Sequence, residues 1–175
     1  YVKDQFHQID VLVNSAGYGS FGALEEVPLN EARSQMNVNL FGVVDLIQQV
    51  SPIMRQQGNG RIINISSLAG QSYSAMAGWY YISKHALETM SDVLRLELKP
   101  FGIEVVIVEP GITNTNWANV TIEKMNQVTP KDSPYRQIAD KQASMIVKPS
   151  QTTNDVSHTI IKAIQSDKPK IRSQV

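Results

Sequence analysis

Short apolar runs rich in β-branched residues alternate along this chain with longer stretches of helical pattern. The runs cover Ile9–Asn14, Arg61–Ser66, Ile103–Glu109 and, more weakly, Lys170–Val175. The helical patterns cover Asn30–Gln57, Gly78–Lys99 and Gln151–Ser166. Runs that are nearly continuous in apolar character predict strands buried on both faces of a parallel sheet. The alternation therefore predicts an α/β layered fold with right-handed crossovers, in a single domain that spans residues 1–175.

Local signals mark the ends of the first helical stretch. Asn30 followed by Glu31 predicts a helix start, and the Gly58-Asn59-Gly60 sequence predicts a helix end. Pro52 lies between these signals. Because proline lacks a backbone N–H, we expect it to kink this helix or to begin a new one.

The composition excludes several classes of function. The 16 basic and 16 acidic side chains cancel, which argues against a nucleic acid or an anionic membrane as partner. The chain has no cysteine, so thiol nucleophiles and disulfides are excluded. His7, His85 and His158 lack the spacing of metal ligands, so we predict no metal site. Since apolar stretches are short and the opening residues are polar, we expect no membrane span and a cytoplasmic location.

Small and polar residues follow three of the predicted strands. In a parallel α/β sheet, ligands bind beyond the carboxyl ends of the strands. Those ends carry Asn14-Ser15-Ala16-Gly17, Ser66-Ser67 and Glu109-Pro110-Gly111. Ordinary strand-to-helix turns have a similar composition, so a purely structural interpretation stays open for each turn taken alone.

Tyr80 and Lys84 are spaced i,i+4 at the start of a helical pattern and therefore share one helix face. A free tyrosine has a pKa of about 10, and a nearby ammonium group can lower that value by roughly 1–3 units. We therefore expect Lys84 to lower the pKa of Tyr80 and to make it a general acid/base. Tyr73 and Tyr81 have no lysine at this spacing.

Ser67 lies at a predicted strand end, a short loop before the tyrosine helix. This order can bring the Ser67 and Tyr80 hydroxyls to one substrate oxygen, which Ser67 would orient while Tyr80 transfers the proton. The alternative is that Ser66 and Ser67 only cap the strand.

With these residues in place, the chain resembles the short-chain dehydrogenase/reductase family, and most closely its hydroxysteroid- and retinol-dehydrogenase-like members. The resemblance covers nearly the whole chain and rests on five elements that occur in the family's order and at its spacing. These are Asn14-Ser15-Ala16-Gly17, with Ser15 replacing a second Asn, then Asn39, the strand Arg61–Ser67, Tyr80-x-x-x-Lys84 and Pro110-Gly111-Ile112-Thr113-Asn114-Thr115. Each element alone is weak, and the five together are specific.

The resemblance implies an NAD- or NADP-dependent oxidoreductase that transfers a hydride between the cofactor and a small-molecule alcohol or ketone. It assigns acid/base catalysis to Tyr80, ribose binding to Lys84, the substrate oxygen to Ser67, and a water-linked proton relay to Asn39. It also implies a set of residues along the cofactor. Asn14, Ala16 and Gly17 would pass near its adenosine side, and Pro110, Gly111, Ile112 and Thr115 would border the nicotinamide.

The family's first three strands and its glycine-rich phosphate turn have no counterpart in this sequence. The resemblance therefore implies a partial Rossmann-like, doubly wound sheet that holds strands 4–7 of seven, with Tyr1–Phe6 as the tail of the preceding helix. We expect an N-terminally truncated chain in which Ile9–Asn14 forms an exposed sheet edge. We also expect these 175 residues alone to bind cofactor weakly and to turn over little.

In the family, the segment after Pro110-Gly111 covers the substrate. Here it spans roughly 115–149, and we predict a long loop because its periodicity is weak. Its apolar residues suit a lipophilic alcohol or ketone, although packing on the core remains open. They are Trp117, Met125, Val128, Tyr135, Met145 and Ile146.

The Gly78–Lys99 helix carries two apolar stripes, of which one is headed by Trp79 and Ile82 and the other by Leu87. A helix with one free face needs a single stripe, so the second predicts a homo-dimer or homo-tetramer interface or burial within the chain.

Two other functions compete with this assignment. A sugar-nucleotide epimerase or dehydratase also uses a Tyr-x-x-x-Lys pair, but Asn39, Ser67 and the Pro110–Thr115 element disfavour it. The second alternative is a truncated, non-catalytic scaffold that keeps the fold without turnover.

Overall fold

A computed structural model describes residues 5–175 of the chain. The strands are β1 (Val11–Asn14), β2 (Gly60–Ile65), β3 (Ile103–Glu109) and β4 (Arg172–Gln174). The helices are α1 (Leu29–Met36), α2 (Gly42–Gln57), α3 (Gly78–Leu98), α4 (Trp117–Val128), α5 (Arg136–Ile146) and α6 (Thr153–Gln165). A π-helical turn, Asn37–Phe41, joins α1 to α2, and short 3₁₀ turns cover Leu68–Gly70 and Lys99–Phe101.

The four strands form one parallel sheet in the order β1-β2-β3-β4. This confirms the predicted partial Rossmann-like α/β fold. Within residues 5–175, β1 pairs with β2 alone, so it lies at the sheet edge as expected. Most of the predicted helix tail at Tyr1–Phe6 lies outside the described residues. No helix of the described part of the chain is long and apolar enough to cross a membrane.

Both faces of the central strands are buried. On one face, α2 and α3 pack on β2 and β3 through side chains such as Met54, Ile62 and Leu87. On the other face, α6 contributes Ala163, which packs with Ile63 and Val106. Neighbouring residues Ile62 and Ile63 are both fully buried, although they point to opposite faces. This two-sided burial explains why the strand runs lack polar alternation.

The first helical stretch differs from the prediction in two places. The helix begins at Leu29, after Pro28, one residue before the expected start at Asn30. Pro52 does not break it, since α2 continues from Gly42 to Gln57. Val50, Ser51 and Met54 are buried around the proline, and this packing compensates for the lost backbone hydrogen bond. The irregular turn lies instead at Asn37–Phe41.

The prediction of a long loop after residue 115 is wrong. This part of the chain folds into α4 and α5, here called the cover (residues 117–146). Its inward positions have helical spacing, since Thr121 and Met125 are buried in α4, and Ala139, Gln142 and Ile146 are buried in α5. Because alanine, threonine and glutamine occupy several of these positions, the apolar periodicity is too weak to read from the sequence.

The two stripes of α3 have different environments. Leu87 and Leu98 are buried in the core, whereas Ile82 and Val93 are 43% and 48% exposed. One stripe therefore packs within the chain, whereas the other is exposed at Ile82 and Val93 and half-buried against the core at Met90.

Candidate active site

A cavity of about 520 Å³ opens at the carboxyl ends of β2 and β3. Ser67, Tyr80 and Lys84 all line it, together with the loop that follows β3. The sequence placed these three side chains at a strand tip and on one helix face, and the fold brings them to one crevice. A cavity of this size is typical of small-molecule sites.

Ser67 caps the 3₁₀ turn after β2 and also faces the cavity. Its Oγ accepts a hydrogen bond from the Ala69 N–H at 3.2 Å and donates to the Pro110 carbonyl at 3.3 Å. This serine therefore caps a turn and also lines the cavity, while its role toward a substrate stays a prediction. These bonds fix the hydroxyl relative to both strand ends.

Tyr80 and Lys84 lie on the first turns of α3. The Tyr80 ring packs against Phe21 and Trp117, with ring centroids 5.8 Å and 5.4 Å away. The Lys84 Nζ lies 5.9 Å from the centroid of the Tyr80 ring and donates to the Ile65 carbonyl at 2.9 Å. Lys84 is 5% exposed, so its ammonium group is held inside the protein next to the tyrosine.

The pKa of Tyr80 differs from the expectation. Burial raises it to about 12, while the nearby Ser67 hydroxyl acts in the opposite direction. Burial also lowers the pKa of Lys84 to about 8, and the Glu88 carboxylate one helical turn further opposes this change. Desolvation of the buried phenol therefore sets the direction of the Tyr80 pKa, and Lys84 does not lower this pKa as expected.

Asn39 lies in the π-helical turn and is 1% exposed. Its Nδ2 donates to the Tyr18 carbonyl at 2.9 Å and to the Ser83 Oγ at 3.0 Å, and its Oδ1 accepts from the Tyr18 N–H. The side chain thereby ties the loop after β1 to α3. A π-turn inside a helix often marks a functional site, because the wide turn leaves backbone groups without their usual partners.

Gly17 lies so close to Asn39 and Lys84 that a side chain at this position would crowd both. A Cβ on Gly17 would lie 3.3 Å from the Asn39 Oδ1 and 3.6 Å from the Lys84 Nζ. The glycine therefore leaves open the space beside the lysine, where a ligand can approach the ammonium group.

The predicted cofactor residues divide into two groups. Gly17, Pro110, Gly111, Ile112 and Thr115 line the cavity with Tyr80 and Lys84. Asn14 and Ala16 do not belong to its lining. The Asn14 Nδ2 instead donates to the Asn64 Oδ1 at 2.8 Å, and Asn64 donates to the Ser91 Oγ, so Asn14 joins β1 to β2 and α3.

The lysine has free donors that suit a ribose. An ammonium group carries three N–H donors, and the Ile65 carbonyl takes one of them. Of the residues that the structure describes, no other is hydrogen-bonded to this group. The remaining donors face a cavity bounded by Gly17 and the loop after β3, which fits the nicotinamide-ribose half of a dinucleotide.

Several lining residues were not predicted from the sequence. Phe21 is 3% exposed and packs against Tyr80, and Gln142 of α5 reaches the same cavity. Phe21 could have been found as the one large apolar residue in a glycine-rich loop, whereas Gln142 carries no local signal. Among residues 5–175, no cluster of three or more His, Cys, Asp or Glu side chains could hold a metal ion.

Comparisons with known proteins agree with this geometry. The chain is 38% identical over 166 residues to a probable short-chain type dehydrogenase/reductase of Helicobacter pylori, covering 93% of this chain and 60% of that protein. It is 35% identical to a 3-ketodihydrosphingosine reductase of Bacteroides thetaiotaomicron, covering 96% of this chain and 63% of that protein. The chain therefore spans less than two thirds of the length of these relatives.

A solved structure gives the same result. A short-chain dehydrogenase/reductase from Burkholderia phymatum, in complex with NAD, is 26% identical and superposes with a TM-score of 0.81, covering 97% of this chain and 63% of that chain. The short chain dehydrogenase family model matches residues 1–126. Since that match takes in the tyrosine, the lysine and the serine that meet in the cavity, the chain belongs to the short-chain dehydrogenase/reductase family of oxidoreductases.

Proposed function

We propose that this chain is the catalytic part, in one domain, of an NAD- or NADP-dependent oxidoreductase that interconverts an alcohol and a ketone. The observation that carries the proposal is the convergence of Ser67, Tyr80 and Lys84 on one cavity. A hydroxyl to orient an oxygen, a phenol to exchange its proton and a buried cation are what this chemistry needs from the protein. The nicotinamide, when bound, supplies or accepts the hydride.

Tyr80 is the proposed general acid/base. With a pKa of about 12, its hydroxyl keeps its proton at neutral pH and is ready to donate it to an oxygen that gains negative charge as a ketone is reduced. Ser67, fixed by Ala69 and Pro110, holds that oxygen in place. In the oxidative direction, Tyr80 must first release its proton, which a protonated Lys84 and a positively charged nicotinamide both favour.

Lys84, Gly17 and the Pro110–Thr115 loop are the proposed holders of the nicotinamide-ribose half. Lys84 has donors free for ribose hydroxyls, and Asn39 fixes the loop after β1 next to it. Asn39 is proposed to take part in a water-linked proton relay, since the π-turn around it widens the backbone near Lys84. Asn14 and Ala16 are proposed to approach the adenosine side through backbone atoms.

The proposed substrate is lipophilic. Phe21, Trp117, Met145 and Ile146 form an apolar part of the cavity wall. A 3-ketodihydrosphingosine reductase is among the relatives, and its name describes a ketone. An apolar wall of this kind is a poor match for the sugar of a nucleotide-sugar substrate.

The exposed apolar face beside α3 supports a homo-oligomer. Ile82 and Val93 of α3 and Phe41 and Leu46 near the start of α2 are each at least 43% exposed. We propose that this face pairs two copies into a dimer, or part of a tetramer, because exposed apolar clusters mark association sites. Sedimentation of the full-length protein tests this, and a monomer at micromolar concentration would contradict it.

The decisive experiment replaces Tyr80 with phenylalanine in the full-length protein, meaning this chain with its native flanking sequence. Tyr80→Phe removes the hydroxyl and keeps the ring that packs on Phe21 and Trp117. We expect ketone reduction with NADH or NADPH to fall at least about 100-fold, as for loss of a general acid. Tyr73→Phe is the matched control, since Tyr73 is 91% exposed and its variant should keep full activity. Wild-type activity in Tyr80→Phe would contradict the proposal.

The proposal also covers the 175 residues by themselves. The part of the cavity that they form suits the nicotinamide end, and the sequence has no glycine-rich turn for the phosphates. We therefore expect isothermal titration of this chain with NADH and NADPH to give weak binding. Micromolar affinity for either cofactor would contradict that expectation.

A further inference from the structure

Gln142 occupies a position where the fold calls for an apolar side chain. It is one of three residues of α5 that face inward, and the other two are Ala139 and Ile146. Those two belong to the apolar cluster around Phe21 and Met125. Gln142 is 7% exposed and lines the cavity, so the chain places an amide group on the otherwise apolar inner side of α5.

The amide of Gln142 makes no hydrogen bond to any residue of the described part of the chain. A glutamine amide offers two donors and one acceptor oxygen, and those of Gln142 remain available to a ligand in the cavity that it lines. Three serines of the cavity wall bond to backbone groups. Ser72 donates to the Leu68 carbonyl, Ser74 to the Ala75 carbonyl and Ser150 to the Ile112 carbonyl. Gln142 differs from these three serines, because its amide has no such bond.

Gln142 lines the same cavity as Ser67 and Tyr80. It does so from the cover, next to Met145 and Ile146, whereas Ser67 follows β2 and Tyr80 lies on α3. Because Gln142 belongs to a different element, its amide can meet a substrate group other than the reacting oxygen.

We propose that Gln142 is a specificity-determining residue, and that its amide hydrogen-bonds a second, uncharged polar group on a lipophilic ketone or alcohol. This inference rests on the proposed function. The group is a hydroxyl or a carbonyl, because the amide can serve either one. Lys84 is the single charged residue among the described residues that line the cavity, and it lies at the strand ends, so a charged substituent would find no counter-ion beside Gln142.

The test compares Gln142→Leu with wild type in the full-length protein. Leucine is close in size to glutamine and suits the apolar stripe, but it cannot hydrogen-bond. The probes are decan-2-one and a set of its derivatives that each carry one hydroxyl at a different carbon. We expect wild type to reduce at least one hydroxyketone with a kcat/KM about tenfold above that of decan-2-one. In Gln142→Leu this preference should disappear, mainly because the kcat/KM for the hydroxyketone falls.

Gln137→Leu is the matched control, because Gln137 lies on the same helix and is exposed. It should keep the wild-type preference. Thermal unfolding gives a readout apart from activity, since Gln142→Leu removes an amide that bonds to no described residue and should unfold at the same or a higher temperature than wild type. A lower unfolding temperature would mean a structural role and would overturn the inference.

The kinetic outcomes separate the inference from the proposed function. A hydroxyketone preference that survives in Gln142→Leu, or its absence in wild type, overturns the role of Gln142 while Tyr80-dependent reduction stands. If wild type reduces none of the probes, the proposed function fails for lipophilic ketones, and the inference fails with it.

Discussion

The strand-end site and the cover border the same cavity, yet different interactions build them. Asn39, Ser67 and Lys84 are buried polar groups whose positions are fixed by hydrogen bonds to backbone and side-chain partners. The cover is held mainly by apolar packing, with Met125 fully buried at its centre. In this molecule, hydrogen bonds position the buried polar groups of the strand-end site. Apolar packing holds the cover that borders the same cavity.

The two regions also differ in how their buried residues affect the free energy of folding. Burying a lysine and an asparagine at the strand ends opposes folding, because both groups lose water. Burying Met125 and Ala139 favours folding. Active sites commonly reduce stability in this way, and the apolar layers around them compensate.

The largest expected effect on stability comes from replacing two buried methionines, one in the sheet core that carries the strand-end site and one in the cover. Met54 in the sheet core and Met125 in the cover are both 0% exposed. Met54→Ala should lower the free energy of unfolding by about 2–5 kcal/mol, as measured by urea titration, because it leaves a cavity between the helices and the sheet. Met125→Ala should act mostly within the cover and expose the backbone amides of residues 117–146 to hydrogen exchange, with a smaller change in global stability.

Hydrogen exchange followed by mass spectrometry separates these two responses. If Met125→Ala lowers protection in β2 and β3 as much as in the cover, the two regions unfold together and the comparison breaks down.

The second prediction concerns how the burial of Lys84 changes the stability of the protein with pH. The pKa of Lys84 is about 8 in the folded protein, against 10.5 for an ordinary lysine. Between these values the unfolded chain binds one more proton than the folded chain, so stability increases with pH. Lys84→Met removes this dependence. Wild type should therefore gain up to about 2–3 kcal/mol relative to the variant between pH 7 and pH 10.

Thermal or urea unfolding of both proteins across this range measures the difference. Tyr80 does not obscure the result below pH 10, since its raised pKa keeps it protonated in both states until the unfolded tyrosine titrates. Parallel stability curves for the two proteins would show that Lys84 is not desolvated as the geometry indicates.

The smallest effect is expected at the rim of the cover. The Lys124 Nζ of α4 donates to the Glu31 Oε1 of α1 at 2.7 Å and lies 4.9 Å from the centroid of the Tyr18 ring. This hydrogen bond lowers the pKa of Glu31, so its contribution is present at neutral pH and is lost as the pH falls through the folded-state value. A double-mutant cycle with Glu31→Gln and Lys124→Met should give about 0–1 kcal/mol at pH 7, because both groups are partly exposed.

The same cycle at a pH well below the folded-state pKa of Glu31 should give no coupling energy. A coupling energy well above 1 kcal/mol at neutral pH would mean that ion pairs, in addition to apolar packing, hold the cover in place.

The sequence predicted the strands and the strand-end site better than it predicted the cover. Ile103–Glu109 was predicted with its bounds, and β2 within one residue, because strands buried on both faces leave an uninterrupted apolar run. The Tyr80–Lys84 pair was predicted from a four-residue spacing that any helix converts into proximity. The cover was missed, since its inward positions include Thr121, Ala139 and Gln142, which interrupt the apolar periodicity that would mark the helices.

The sequence by itself determined the layered α/β architecture and which hydroxyl, phenol and lysine would meet at the strand ends, because these depend on short-range periodicity and on the geometry of parallel sheets. The tertiary structure decided the direction of the Tyr80 pKa, the burial of Gln142 and the helical form of the cover. Each of these depends on how much water is excluded by residues distant in the sequence, and that quantity has no local pattern.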